Sequence, residues 1–380
     1  MEQIKIADMH CDTISMIQYK RNRGEAAVLR KNDMRIDLEK LKQGGYALQT
    51  FAVFTDLEEK DPLETALEQV DIFYQEMGVN QDLILPVTTM AEVERNVAEG
   101  KLSALLSLEG ADACRGNISV LRDFYRLGVC MMNLTWNNEN ELAYPQTPRG
   151  VPRRNFFAGS GSFSAGAGGP EEGRRKKGLK EAGFAFLAEM ERLGMIIDVS
   201  HLSDDGFYDV LEHTSHPFVA SHSNARALAA HPRNLTDSML KSLADRGGVA
   251  GVNFYNRFLA APAGRAGGVL SSGVSKALVR RSACPEITTN EAIICQIRHM
   301  TNVGGMESVG LGTDFDGFEC PMETENCSMT RKLAEDMKRA GFTNGEIESI
   351  FYKNVTRVYR EILDGNILAP RAACLQTESK

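Results

Sequence analysis

Eight short apolar or β-prone runs recur along this 380-residue chain, and the stretches between them keep helical period. The runs are Ile4 to Met9, Ala47 to Phe54, Leu102 to Leu108, Val129 to Leu134, Met195 to Val199, Pro217 to Ala220, Gly248 to Phe254 and Val309 to Gly312. Between them, Leu121, Phe124 and Tyr125 fall on one helical face before Gly128 ends the pattern. Ser203 reads as the N-cap of a helix burying Phe207, Val210 and Leu211, and Thr236 as the cap of one burying Leu240 and Leu243. Further stripes are Leu63, Leu67, Val70 and Phe73, then Phe184, Leu187, Met190 and Leu193, then Ile293, Ile297 and Met300. Such alternation implies parallel strands, and eight of them predict an α/β fold, a (β/α)8 TIM barrel with its active site at the C-terminal strand ends. A doubly wound open sheet is the competing architecture. It would spread the strand ends along a line and keep groups from the first, third, fifth, sixth and eighth strands apart.

A barrel with insertions accommodates this length, so residues 1–380 read as a single domain. Residues 144–180 are rich in Gly, Ser, Ala, Pro and basic side chains, a composition that cannot pack a core, and read as a Gly-rich mobile insertion joining the fourth and fifth strands. A second long connection spans 259–286. A net charge of −8 with no basic stripe argues against a nucleic-acid partner. The eight cysteines form no Cys-x-x-Cys pair, which fits reduced thiols. With no leader before the first strand and no apolar stretch long enough for a bilayer, the expectation is a cytoplasmic chain without a membrane partner. A homodimer is compatible with this composition.

The strand ends carry the chemistry. The first run ends in His10-Cys11-Asp12, the third in Glu109, the fifth in Ser200-His201 and the sixth in Ser221-His222. His10 and Asp12, two apart on an extended segment, lie on one face and can reach a single cation, while Cys11 points away. Imidazole and carboxylate suit Zn²⁺, with Mn²⁺ or Co²⁺ as substitutes. Two cations held close together need a shared anion, which gives Glu109 the part of a bridge, and His201 with His222 completes the second position. Asp314, after the eighth strand, is placed to take and return a proton, and Asp316 is read as a turn-former before Gly317. The other four histidines, His213, His216, His231 and His299, fall in helix or loop patterns and read as structural or surface groups.

The ordered set Asp8-Met9-His10-Cys11-Asp12, Ser107-Leu108-Glu109-Gly110, Leu134-Thr135-Trp136-Asn137, Asp198-Val199-Ser200-His201, Ala220-Ser221-His222-Ser223 and Gly312-Thr313-Asp314-Phe315-Asp316-Gly317 covers nearly the whole chain. It resembles the membrane dipeptidase (renal dipeptidase) family, a group of amidohydrolase-like metal-dependent barrels, in its bacterial-type form. The resemblance implies two zinc ions, one on His10 and Asp12, one on His201 and His222, with Glu109 between them. It also implies a dipeptide substrate, including dipeptides with a C-terminal D-residue, cleaved by a hydroxide bridging the metals. Asp314 would shuttle the proton, and Arg233 would grip the substrate carboxylate, with Arg226 as its competitor. Tyr255 is a further candidate substrate contact. Where vertebrate members carry a histidine after Leu-Thr, this chain has Trp136 followed by Asn137, so both become candidate substrate contacts. The alternatives are another binuclear barrel hydrolase, acting on a cyclic amide, a nucleobase or a phosphoester, and a non-catalytic metal-binding barrel.

Overall fold

The computed structural model describes residues 4–55, 61–147, 177–259 and 287–365. The two long connections read from the sequence lie mostly outside them. Nine strands form one sheet: β1 (Ile6–Asp8), β2 (Tyr46–Phe54), β3 (Ile84–Val87), β4 (Leu102–Glu109), β5 (Val129–Asn133), β6 (Ile196–Asp198), β7 (Val219–Ala220), β8 (Val249–Val252) and β9 (Val309–Leu311). Every pairing is parallel, and β2 pairs with both β1 and β4. The ring therefore closes through β1, β2, β4, β5, β6, β7, β8 and β9, giving an eight-stranded barrel surrounded by helices. These eight are the runs read from the sequence. The ninth, β3, was not expected, because it is short and carries Pro86. It pairs with the lower part of β4 alone, an edge position where a missing N–H is tolerated.

Two connecting helices start where their caps predict, at Ser203 and Thr236, and a third starts at Asn117. Asn117 accepts from the backbone of Ser119, Ser203 from Gly206 and Thr236 from Met239, each opening a helix that lies against the barrel. Four stripe positions differ from expectation, Leu63 and Leu211 being only half-buried. Leu67 is 43% exposed, and Phe186 takes the buried place in the helix Glu181–Leu193, with Phe184 only half-buried. None of the described helices is long and apolar enough to cross a membrane.

Ala7, Met9, Leu48, Leu105, Met131, Ile196, Val219 and Val249 pack together with Val355, Val358, Tyr359 and Ile362 of the helix Asn354–Leu363. That helix closes the lower end of the barrel, where Asn354 donates to the carbonyl of Val309 and Arg357 to that of Gly247, both at strand starts. Tyr359 is fully buried, with its hydroxyl 3.2 Å from Thr50 Oγ1. Emptying its site in Tyr359→Ala is expected to cost about 3–5 kcal/mol. Thermal unfolding should therefore begin well below the parent, and an unchanged midpoint would show that the helix is no floor to the barrel. With the lower end filled, the upper end alone can open to a substrate.

Candidate metal centre

Five chain segments at the strand ends converge at the upper end and bring six side chains together. His10 and Asp12 follow β1, Glu109 is the last residue of β4, and His201, His222 and Asp314 follow β6, β7 and β9. The chain must turn sharply to aim them inward, and His201 (φ 72°) and Asp314 (φ 60°) both do so in the left-handed region. Asp12 differs from the extended geometry expected of it: β1 ends at Asp8, and Asp12 occupies the N-cap of the helix Thr13–Asn22. Its carboxylate still meets His10, with Oδ2 3.5 Å from Nε2.

Glu109 presents its two oxygens to two different groups. Oε2 lies 3.5 Å from His10 Nε2, while Oε1 lies 2.9 Å from His201 Nε2 and 3.5 Å from His222 Nε2. The tautomers of His201 and His222 follow from their other nitrogens. Ser221 Oγ donates to Asp198 at 2.5 Å, so its own partner 2.7 Å away, His222 Nδ1, must donate to it. His201 Nδ1 lies 3.1 Å from Asn137 Oδ1, which also accepts from Thr147. Both Nε2 atoms are therefore left with lone pairs, 2.9 Å apart and facing a carboxylate oxygen. Three acceptors in a buried cluster without a donor call for a cation. Ligands about 2.0–2.2 Å from a tetrahedral zinc lie roughly 3.2–3.6 Å from one another, close to the spacings around both Glu109 oxygens. His10 fits as well, since neither ring nitrogen has a hydrogen-bond partner among the described residues.

Charge tells the same story. Burial pulls His10 down, yet the carboxylates of Glu109 and Asp12 outweigh it and hold the imidazole well above its ordinary value. Burial, with the charges of Arg233 and His10, pulls His201 down to about 3 and sets His222 well below the usual range. Glu109 is pushed up by burial but held well below the carboxylate range by His10 and His201. Asp314 rises well above it through burial and the neighbouring Asp12 charge.

Arg233 is buried, with Nε and Nη2 unpartnered among the described residues and Nη1 3.4 Å from Ser223 Oγ. Burial pulls its guanidinium down to about 10. Arg226, by contrast, is held at 2.7 Å on both sides of its fork by Asp204. Trp136 is buried edge-on to Phe54, with its ring 6.0 Å from that of His201. Tyr255 is half-buried between the rings of Phe258 and Phe318. Asp316 turns away from the cluster, accepting from the Thr13 hydroxyl and the Arg35 backbone. His213, His216 and His299 lie by Asp209, Glu191 and Asp237 on the periphery, and His231 packs on Phe258.

Two buried carboxylates were not singled out from the sequence. Asp198 ties β6 to β7, accepting from the backbone of Ser200 and Ser221 at 2.9 Å and thereby steadying His222 through Ser221. Asp8 does the same across the β1–β9 seam, accepting from the Thr313 hydroxyl at 2.6 Å and its N–H at 2.9 Å. The available signal was an aspartate two residues before His10 and three before His201.

Residues 1–366 match the model of the membrane dipeptidase family, peptidase family M19. The chain belongs to the membrane dipeptidase family. It is accordingly a dipeptidase of the metallopeptidase class. Among its relatives, an uncharacterized dipeptidase of Schizosaccharomyces pombe is 30% identical over 94% of this chain and 80% of its own length. An uncharacterized Klebsiella pneumoniae protein from the pqqA 5' region is 31% identical over 80% and 97%. Of solved structures, the family M19 metallopeptidase described as dipeptidase AC superposes with a TM-score of 0.76 at 26% identity, over 95% of this chain and 99% of that one. A Rhodobacter sphaeroides metallopeptidase, liganded with a phosphinate mimic of the dipeptide L-Ala-D-Ala, shares the fold with a TM-score of 0.78 at 23% identity, over 95% and 100%. The membrane dipeptidase fold thus extends over nearly all of the chain.

Proposed function

We propose that this dipeptidase works with two zinc ions, one on His10 and Asp12 and one on His201 and His222, with Glu109 shared between them. The observation that carries the reading is the division of Glu109, whose two oxygens address two separate ligand groups. Bound there, the ions would activate a water between them and polarise the scissile carbonyl. Asp314, with Oδ1 3.8 Å from His10 Nε2, takes the proton of the attacking water and passes it to the nitrogen as the amide C–N bond breaks. Cations held beside it would offset the burial that raises Asp314 and favour its ionised form, so it ends the cycle as the carboxylate that began it, and two free amino acids leave. Arg233 receives the C-terminal carboxylate, because its buried and unpartnered nitrogens match a bidentate acceptor. Trp136 and Tyr255 wall the substrate, and Asn137 both borders it and orients His201.

We extend the substrate class to dipeptides with a C-terminal D-residue, the kind that the Rhodobacter sphaeroides ligand mimics. The unpaired thiols of Cys11, Cys114, Cys130, Cys295, Cys320 and Cys327 support a reducing, cytoplasmic setting. Elemental analysis of zinc-supplemented protein should find about two divalent ions per chain, and His201→Ala about one fewer. A parent with one or none, and a variant that binds as much as the parent, would sink the two-ion reading. A screen of dipeptides against tripeptides and dipeptide amides tests the substrate class, and equal turnover of tripeptides would refute it.

A further inference from the structure

We infer that Asn253 is a positioning residue for Asp314, holding one carboxylate oxygen so that the other alone serves the reacting centre. The inference rests on the proposed role of Asp314 as proton carrier. Asn253 directly follows β8 and is fully buried. Its Oδ1 accepts from the backbone N–H of Tyr255 at 2.7 Å. A backbone amide can only donate, so the oxygen must lie on that side and Nδ2 on the other. Nδ2 stands 2.8 Å from Asp314 Oδ2 and 3.4 Å from the carbonyl of His222.

The donor cannot swing away cheaply. The Asn253 backbone is clasped by Asn224, whose Oδ1 accepts from the Asn253 N–H at 2.8 Å and whose Nδ2 donates to the Asn253 carbonyl at 2.9 Å. Releasing Asp314 would strip the fully buried Asn253 amide of its partners. Asp314 needs such a hold, because a carboxylate can rotate about its terminal torsion and its left-handed backbone lies outside any regular element. With Oδ2 committed to Asn253, it is Oδ1 that faces His10. Proton uptake from water and delivery to the leaving nitrogen therefore both pass through Oδ1, with no turn of the carboxylate between them.

Asn253→Asp is the informative change, since it keeps the size and the acceptor for Tyr255 but replaces the amide donor. On metal-loaded enzyme with a dipeptide substrate, kcat should fall roughly 10- to 100-fold, the scale of one charge-assisted hydrogen bond, while KM and metal content stay near the parent's. Asn253→Ala, with folding followed by circular dichroism, should lose a similar factor. In the double variant Asn253→Asp with Asp314→Asn, no loss should appear beyond that of Asp314→Asn alone. Parental kcat in Asn253→Asp, or a full further loss in the double variant, overturns the inference while leaving the Asp314 reading standing. Near-normal turnover in Asp314→Asn alone would instead remove the proton carrier itself, and the inference with it.

Discussion

Asp314→Asn is expected to lower kcat at least roughly a hundredfold while metal content stays at the parent's. The substitution preserves shape and leaves a carbonyl oxygen able to accept from Asn253, now 2.8 Å from Oδ2, but it removes the group that can hold a proton. The ligand atoms around Glu109 do not depend on Asp314, so metal analysis should match the parent. KM should change little, because the lost interaction is one made as the proton moves. Turnover within a few-fold of the parent would show that another group carries the proton.

Arg233→Met should act on the opposite kinetic term. A buried guanidinium whose Nε and Nη2 are unpartnered among the described residues is costly to keep, and a substrate carboxylate would satisfy both at once. Loss of such a charged pair should raise KM for free dipeptides strongly, by about a hundredfold or more, with metal content unchanged. The same variant should discriminate less against dipeptide amides, which lack the countercharge. If it still rejects amides as sharply as the parent does, the carboxylate is gripped elsewhere, and Arg226 would have to leave Asp204 to do it.

Most of the barrel was legible because its strands are buried on both faces and read as mainly apolar runs, such as Leu102 to Leu108 with only Ser103 and Ser107 between, set off by glycines and capped helices. What escaped had contrary local chemistry or no local signal. Pro86 disguised β3. The helix Asn354–Leu363 has Val355, Val358, Tyr359 and Ile362 at regular helical spacing, yet nothing in that pattern says that its apolar face points up into a barrel instead of sideways onto one. At the centre, histidines and acids at strand ends stood out by position. The partners of those groups did not: Asp8, Asp198 and Asn253 look like ordinary polar residues beside a strand, and only the fold brings Asp198 to Ser221 or Asn253 to Asp314. Arg226 competes with Arg233 on paper, and what sets it aside is a fact of three-dimensional neighbourhood, the carboxylate of Asp204 on its fork.

The seam between β1 and β9 gives the centre a peculiar dependence on the whole chain. Glu109, His201 and His222 stand on β4, β6 and β7, within one arc of the ring. His10 and Asp12 follow β1, which is joined to that arc through β2 on one side and, on the other, meets β9 at Asp8 and Thr313, 305 residues apart in sequence. An arc alone offers only one of the two ligand groups. Under the two-ion proposal, filling both groups would therefore report that the first strand has been brought into the ring beside that arc.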